Sequence, residues 1–247
     1  MRFVYTLLSA LAATSVLAMN HVVYSVKCKQ ERANKNISKC FYNSYNYETT
    51  KEGVALYKKN FHSTLCQNFY DSTKYKNVLP TCYSSFNPGE KVIEWSSNSY
   101  AYGEGLLLFT TFKNNGTTNE CPMAKVIRKE RSNDDLLKAA ETTMNNSKYN
   151  ACIEPSRKAM KYITLGFENL SDVGDNYVAK YYKIYKTLSN GKNPTLSVSK
   201  DERCGFDHDM TACPNSKCCS KYGYCGTTNA HCAKSKCQIV FGKCNKN

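Results

Sequence analysis

Eight of the fourteen cysteines of this 247-residue chain fall between Cys204 and Cys244. A cysteine content above about 8–10% in a short segment marks a disulfide scaffold, and this one holds roughly twice that. So small a segment cannot bury enough apolar surface to fold on a core alone, so covalent bridges must supply its stability. Spacing alone does not choose among the pairings that eight cysteines allow. The centre reads Cys219-Ser220-Lys221-Tyr222-Gly223-Tyr224-Cys225. In an extended segment, residues two apart project to one side. Ser220, Tyr222 and Tyr224 are then expected on one face, with Gly223 leaving room for a ligand. Two aromatic faces and a hydroxyl suit a ring with apolar faces and polar edges, which describes a sugar.

The cysteine order is Cys-x8-Cys-x4-Cys-Cys-x5-Cys-x6-Cys, followed by Cys237 and Cys244, with Ser-x-aromatic-Gly-aromatic-Cys-Gly at the centre. At these residues the segment resembles the hevein-like, type 1 chitin-binding module of plant lectins and fungal wall proteins. The resemblance implies bridges Cys204 to Cys219, Cys213 to Cys225, Cys218 to Cys232 and Cys237 to Cys244. It also implies sugar contacts at Ser220, Tyr222 and Tyr224. The family's fourth contact, an aromatic residue just before the sixth cysteine, is His231 here. Imidazole covers less area than a phenol ring and can charge near neutral pH.

The first residues are Met1-Arg2, an apolar run from Phe3 to Leu17, and Ala18. A positive start, an apolar stretch and a small-residue end read as a signal peptide, residues 1–18. The run is too short for a membrane span. With an even cysteine count, this places the chain in an oxidising, extracellular setting. Sequons stand at Asn36, Asn115, Asn145 and Asn169, usable only in a secreted glycoprotein. The formal charge of +14 reads as a solvated surface. It adds little toward neutral chitin and favours anionic wall polymers as a second attraction. Nucleic acid is excluded as a partner by the secreted setting, and fungal cell-wall polymers are the expected surroundings.

Residues 19–188 form the expected larger domain, with six cysteines and three bridges of open connectivity. Their spacing has no Cys-x-x-Cys and no paired histidines, so neither zinc nor another metal is expected. His21–Val26, Gly53–Tyr57, Lys91–Trp95, Gly105–Phe112 and Lys125–Arg128 read as strands, with a turn at Asn87-Pro88-Gly89. Later segments read as helices: one capped by Ser132 and Asp135, one opening at Pro155, and one over Asp172–Leu188. Strands first and helices afterwards predict an α+β domain beside a small disulfide-rich module. Polar residues 189–202 read as the linker, and 203–247 as the module.

No catalytic constellation or cofactor site emerges. Glu90, Glu94 and Glu104 are near one another in sequence and could supply a glycosidase acid pair, but they read as surface charges. A copper oxygenase needs an amino-terminal histidine, and His21 with His62 is the nearest approach; His21 reads instead as the first residue of a strand. Phe41, Tyr42, Tyr45, Tyr47, Tyr100 and Tyr102 offer a second sugar platform, but tyrosines this dense read first as half-buried core. The sequence therefore predicts a secreted protein binding chitin or N-acetylglucosamine oligomers. A wall-polysaccharide enzyme and a structural or adhesive wall protein are the alternatives.

Overall fold

The computed structural model describes residues 24–42, 50–71, 73–129, 132–168, 175–192, 196–205, 208, 211–220, 222–233, 236–237 and 241–245. Helices α1 (Val26–Asn34), α2 (Lys51–Phe61) and α3 (Thr64–Tyr70) open the fold. Each starts where a hydroxyl side chain, from Ser25, Thr50 or Ser63, accepts a hydrogen bond from an otherwise unpaired first-turn amide. Two short helices, α4 (Tyr75–Val78) and α5 (Pro80–Ser85), lead into the long α6 (Pro88–Leu108). A hairpin of β1 (Thr111–Asn114) and β2 (Thr117–Glu120) follows. Its turn is Asn115-Gly116, both at positive φ, as a two-residue hairpin demands. Then come α7 (Pro122–Arg128), α8 (Asn133–Asn145), α9 (Asn150–Glu168) and α10 (Asp175–Leu188).

This part is α+β with the helices predominant, and the strand expectations need correcting. Gly53–Tyr57 lies in α2, Lys91–Trp95 in α6 and Lys125–Arg128 in α7. Of Gly105–Phe112, only Thr111 and Phe112 are strand. Val26 opens a helix, while residues 21–23 lie outside the described ones. Asn87-Pro88-Gly89 is a helix start, with Asn87 and Glu90 forming a reciprocal capping box before Pro88 at the first position. The physical reason is burial. Helix α6 is covered on several sides, so its apolar residues run on without a stripe, and a short window of it imitates a buried strand. The Ser132–Asp135 cap stands at the head of α8. Pro155 lies inside α9, which begins at Asn150.

Helices α6 and α9 pack backbone to backbone. A Cβ on Gly103 would come within 2.7 Å of Ile163 Cγ1 and 2.8 Å of the Ala159 carbonyl. A Cβ on Gly166 would come within 2.6 Å of the Ser96 carbonyl. One glycine on each helix thus admits the other, and the Ser99 hydroxyl donates to the Tyr162 carbonyl at 3.0 Å across the same seam. Around it lie Ile163, Met160, Ile184, Leu188 and Leu107, all buried.

Glu94 corrects the surface reading of the three glutamates. It is 1% exposed and accepts from Tyr24 at 2.6 Å, Tyr75 at 2.8 Å and Arg32 at 2.6 Å. Burial raises the pKa of both tyrosines, and the Glu94 charge raises them further, so both stay protonated donors. Burial disfavours the Arg32 cation, but Glu94 outweighs it and keeps the guanidinium charged. Such a buried charge is tolerable only because every contact is satisfied. Bridges Cys28–Cys82, Cys40–Cys66 and Cys121–Cys152 staple this part. Tyr57 and Tyr75 are fully buried and Tyr42 nearly so. Tyr100 hydrogen-bonds Glu104, and Tyr102 stacks on Phe61 at 5.7 Å. The tyrosines are thus buried or half-buried, as their density suggested, with Tyr102 keeping part of its ring exposed, while Tyr45 and Tyr47 lie outside the described residues.

The connecting residues are built in. The Ser199 amide donates to the Ala212 carbonyl, and the Ala212 amide to the Ser197 carbonyl, each at 2.8 Å. Phe241, fully buried, meets Trp95 of α6 with ring centroids 5.5 Å apart. Its carbonyl accepts from the Cys213 amide at 2.8 Å. One aromatic contact thus joins the cysteine-rich end to the helices.

Candidate functional site

Bridges Cys204–Cys219, Cys213–Cys225, Cys218–Cys232 and Cys237–Cys244 frame residues 204–244. Strands β3 (Cys218–Cys219) and β4 (Cys225–Gly226) pair antiparallel across the central loop. Cys204, Cys213 and Cys219 place their sulfurs within 4.8 Å of one another. All three are oxidised, so they offer no thiolate to a metal.

The loop between the strands is a turn, not an extended segment. The Ser220 carbonyl accepts from the Gly223 amide at 2.9 Å, and the Ser220 amide donates to the Tyr224 carbonyl at 2.9 Å. Gly223 sits at φ +79°, a backbone setting that glycine adopts at no steric cost. The turn still presents Tyr222 and Tyr224 outward, 69% and 48% exposed. Ser220 does the opposite. It is 3% exposed, and its hydroxyl accepts from the Tyr224 amide at 3.2 Å. It braces the loop under the rings. The room beside Gly223 is also filled from within. A Cβ there would meet His208 Cδ2 at 2.7 Å and the Cys204 carbonyl at 3.0 Å.

His231 lies in the short helix α11 (Asn229–Cys232). Its Nδ1 is 2.8 Å from Thr228 Oγ1. Its ring lies where a Cβ on Gly226 would be, within 2.6 Å. The imidazole therefore rests flat against the β4 backbone, half-buried, on a glycine that leaves it room.

Two residues absent from the sequence argument shape this surface. The Arg203 guanidinium lies over the Tyr224 ring, 3.8 Å from its centroid. Its Nη2 donates to His208 Nε2 at 2.6 Å and its Nε to the same atom at 3.2 Å. Because arginine only donates, Nε2 must accept, which fixes the His208 tautomer. Asp201 anchors the segment by accepting from the Arg203 amide at 3.1 Å. That bond, with one from Ser199, holds the Asp201 carboxyl below its usual pKa. One face of Tyr224 is thus covered by a cation. The only signal in the sequence is an arginine beside the first cysteine, which carries no pattern of its own.

Comparison with known proteins adds to this geometry. The model of the family described as "Chitin recognition protein" matches residues 203–244. The chain is 46% identical over 47 residues to the endochitinase CH25 of Brassica napus, covering 19% of this chain and 15% of that protein. It is 46% identical over 50 residues to a chitin deacetylase of Pestalotiopsis sp, covering 20% and 16%. It is 47% identical over 38 residues to the pseudo-hevein of Hevea brasiliensis, covering 15% of this chain and 84% of that protein. The chain thus spans less than a fifth of the endochitinase and deacetylase it matches. No solved structure matches it. Bridged frame, outward tyrosines and matched residues coincide: through residues 203–244, the chain belongs to the hevein-like chitin recognition family.

Proposed function

We propose that this is a secreted chitin-binding protein whose carboxy-terminal module holds N-acetylglucosamine polymers on Tyr222 and Tyr224. The observation that carries the reading is two outward phenol rings on a turn locked by bridges at both ends. Sugar rings stack their apolar faces on such rings, and the rigid loop loses little freedom on binding. Ser220 acts as a brace that sets the tyrosine spacing. His231 closes one end of the face. Arg203 stiffens Tyr224 from behind and leaves its other side to the sugar. One shallow face of this kind binds short oligomers at about micromolar to millimolar strength. Insoluble chitin is held better where many copies act together.

Secretion is supported by seven bridges, by the signal-like first eighteen residues, and by three exposed sequons at Asn36, Asn115 and Asn145. The cell wall is the expected place of work. Among the described residues no helix is long and apolar enough to cross a membrane.

The test is retention on chitin beads. The wild-type chain should be held, and Tyr222→Ala/Tyr224→Ala should elute. Equal retention of the two refutes the assigned face. Mass spectrometry of the secreted chain should find Met19 at its start.

A second reading, a wall-polysaccharide enzyme targeted by the module, draws on the endochitinase and deacetylase among the relatives. The glutamates weighed for an acid pair argue against it. Glu90 caps α6, Glu94 is buried under three donors, and Glu104 bonds Tyr100. Release of soluble sugar from chitin by the purified chain would reverse that preference.

A further inference from the structure

A cleft of about 350 Å³, lined by none of the residues of the chitin face, lies among α3, α6, α9 and residues 196–197. That is within the ordinary range of small-ligand sites, about 300–1,000 Å³. Trp95, Ser99 and Tyr102 line it from one face of α6, and Lys161 and Tyr162 from α9.

Its polar groups differ in how they are satisfied. Ser99 donates to the Tyr162 carbonyl. Asp71, at the rim, pairs with Lys74 at 3.2 Å. Lys161 has no anion or acceptor within reach among the described residues. Burial with nothing to offset it lowers the Lys161 pKa, which is what an ammonium held ready for an incoming anion would show. Beside it, the Tyr102 and Tyr162 rings meet edge to face, 5.0 Å apart and at 82°. Tyr102 is backed by Phe61 at 5.7 Å, nearly parallel. These rings are fixed, half-exposed aromatic surface next to an unmatched cation.

We propose that this cleft binds a singly charged acidic sugar, carboxylated or sulfated, with Lys161 as the counter-ion and Tyr102 and Tyr162 as the ring platform. One surplus ammonium beside the Asp71 carboxylate matches a monoanion better than a dianionic phosphate. The ring platform selects a sugar over a bare ion. The chain's charge of +14 draws such polymers in. The protein would then bridge a neutral N-acetylated polymer and an acidic one.

Trp95 is the single tryptophan, and it lines this cleft while none lies on the chitin face. Because Trp95 also meets Phe241 of the module, its emission is read in both the wild type and the Tyr222→Ala/Tyr224→Ala chain, and a change common to both belongs to the cleft. The full chain is titrated with galacturonate, with N-acetylglucosamine 6-sulfate, and with the neutral N-acetylglucosamine trimer. At least one acidic sugar should shift Trp95 emission, and which one does identifies the charged group. The neutral trimer should not. Lys161→Gln should weaken the acidic response about tenfold or more, since a hydrogen bond to a charged group is lost. Lys161→Arg should restore most of it. Tyr222→Ala/Tyr224→Ala should leave the response intact, and Lys161→Gln should leave chitin-bead retention intact, so this site and the chitin face fail separately. No response to either acid in the wild type, an unaltered response in Lys161→Gln, or an equal response to the neutral trimer overturns the proposal.

Discussion

The two ends of this chain reach rigidity by opposite means. The helical part buries a Glu94–Arg32 pair and brings α6 and α9 together on glycines. Its three bridges close long loops over an existing core. The module has almost no core. Four bridges, one tightly packed Phe241 and a few backbone hydrogen bonds hold it. Because bridges replace burial there, Tyr222 and Tyr224 can point at solvent. Among the tyrosines of the helical part whose side chains are described, every one is buried or half-buried, and none is as open as Tyr222 or Tyr224. A cross-linked module can therefore spend its rings on a ligand, and a core-dependent domain mostly cannot.

The largest expected effect breaks the helical part alone. Glu94→Gln removes the charge that Arg32, Tyr24 and Tyr75 converge on and leaves a mostly buried guanidinium without its anion. Breaking one side of such a pair costs about 3–5 kcal/mol. Urea unfolding followed by helical circular dichroism should show a loss of that size. A loss under about 1 kcal/mol, the value of an exposed pair, would mean that solvent reaches this site. Chitin retention at low temperature should persist.

The converse change strikes the module. Replacing Cys204 and Cys219 by Ser removes the bridge that closes the binding loop on the Arg203 side. Loss of a native bridge from so small a unit costs about 2–5 kcal/mol. Bead retention should collapse while the helical signal stays near wild type. If helicity falls equally, the Phe241–Trp95 contact couples the two ends more tightly than two separate cores would.

A third test addresses the helix seam. Gly103→Leu drives a side chain into Ile163 and the Ala159 carbonyl. Overpacking of this kind costs about 1–3 kcal/mol, read as a lower Tm with bead retention unchanged. A neutral result would show that α9 can slide along α6.

The same contrast explains what the sequence made legible. Bridged modules write their fold in cysteine spacing, because covalent geometry fixes the loop lengths, and residues 203–244 were readable as hevein-like on that ground. The Ser132–Asp135 cap was readable because a cap is local chemistry. Helix α6 was not, because its period is masked where several neighbours cover it, and Gly103 and Gly166 look like breakers until their partner helix is known. Glu94 reads as a surface charge until Arg32, sixty-two residues away in sequence, is seen against it. Within the module, His208 fills the space beside Gly223 from outside the cysteine pattern.

A smaller effect sharpens the picture of the sugar face itself. Arg203→Gln strips the cation from the back of Tyr224 while leaving the backbone bridge between the two residues in place. An exposed cation–π contact contributes about 0.5–1 kcal/mol. Calorimetry with the N-acetylglucosamine trimer should show binding weakened by no more than that, through a looser ring. A stronger effect would mean that the guanidinium touches the sugar directly.

The smallest change is also the most local. His231 rests on Gly226 with Nδ1 beside Thr228 Oγ1, 2.8 Å away. His231→Tyr loses that hydrogen bond, an exposed one whose net value is small. It gains a larger ring over the same glycine, which has no Cβ to obstruct it. If His231 closes the sugar face, the added aromatic area should tighten trimer binding by about 0.5–1 kcal/mol. A gain of that kind requires the ring to keep its present tilt against β4, so an NMR contact between the new ring and the Gly226 α-protons is the accompanying check. Unchanged or weaker binding with that contact intact would remove His231 from the face and leave Tyr222 and Tyr224 to hold the polymer by themselves.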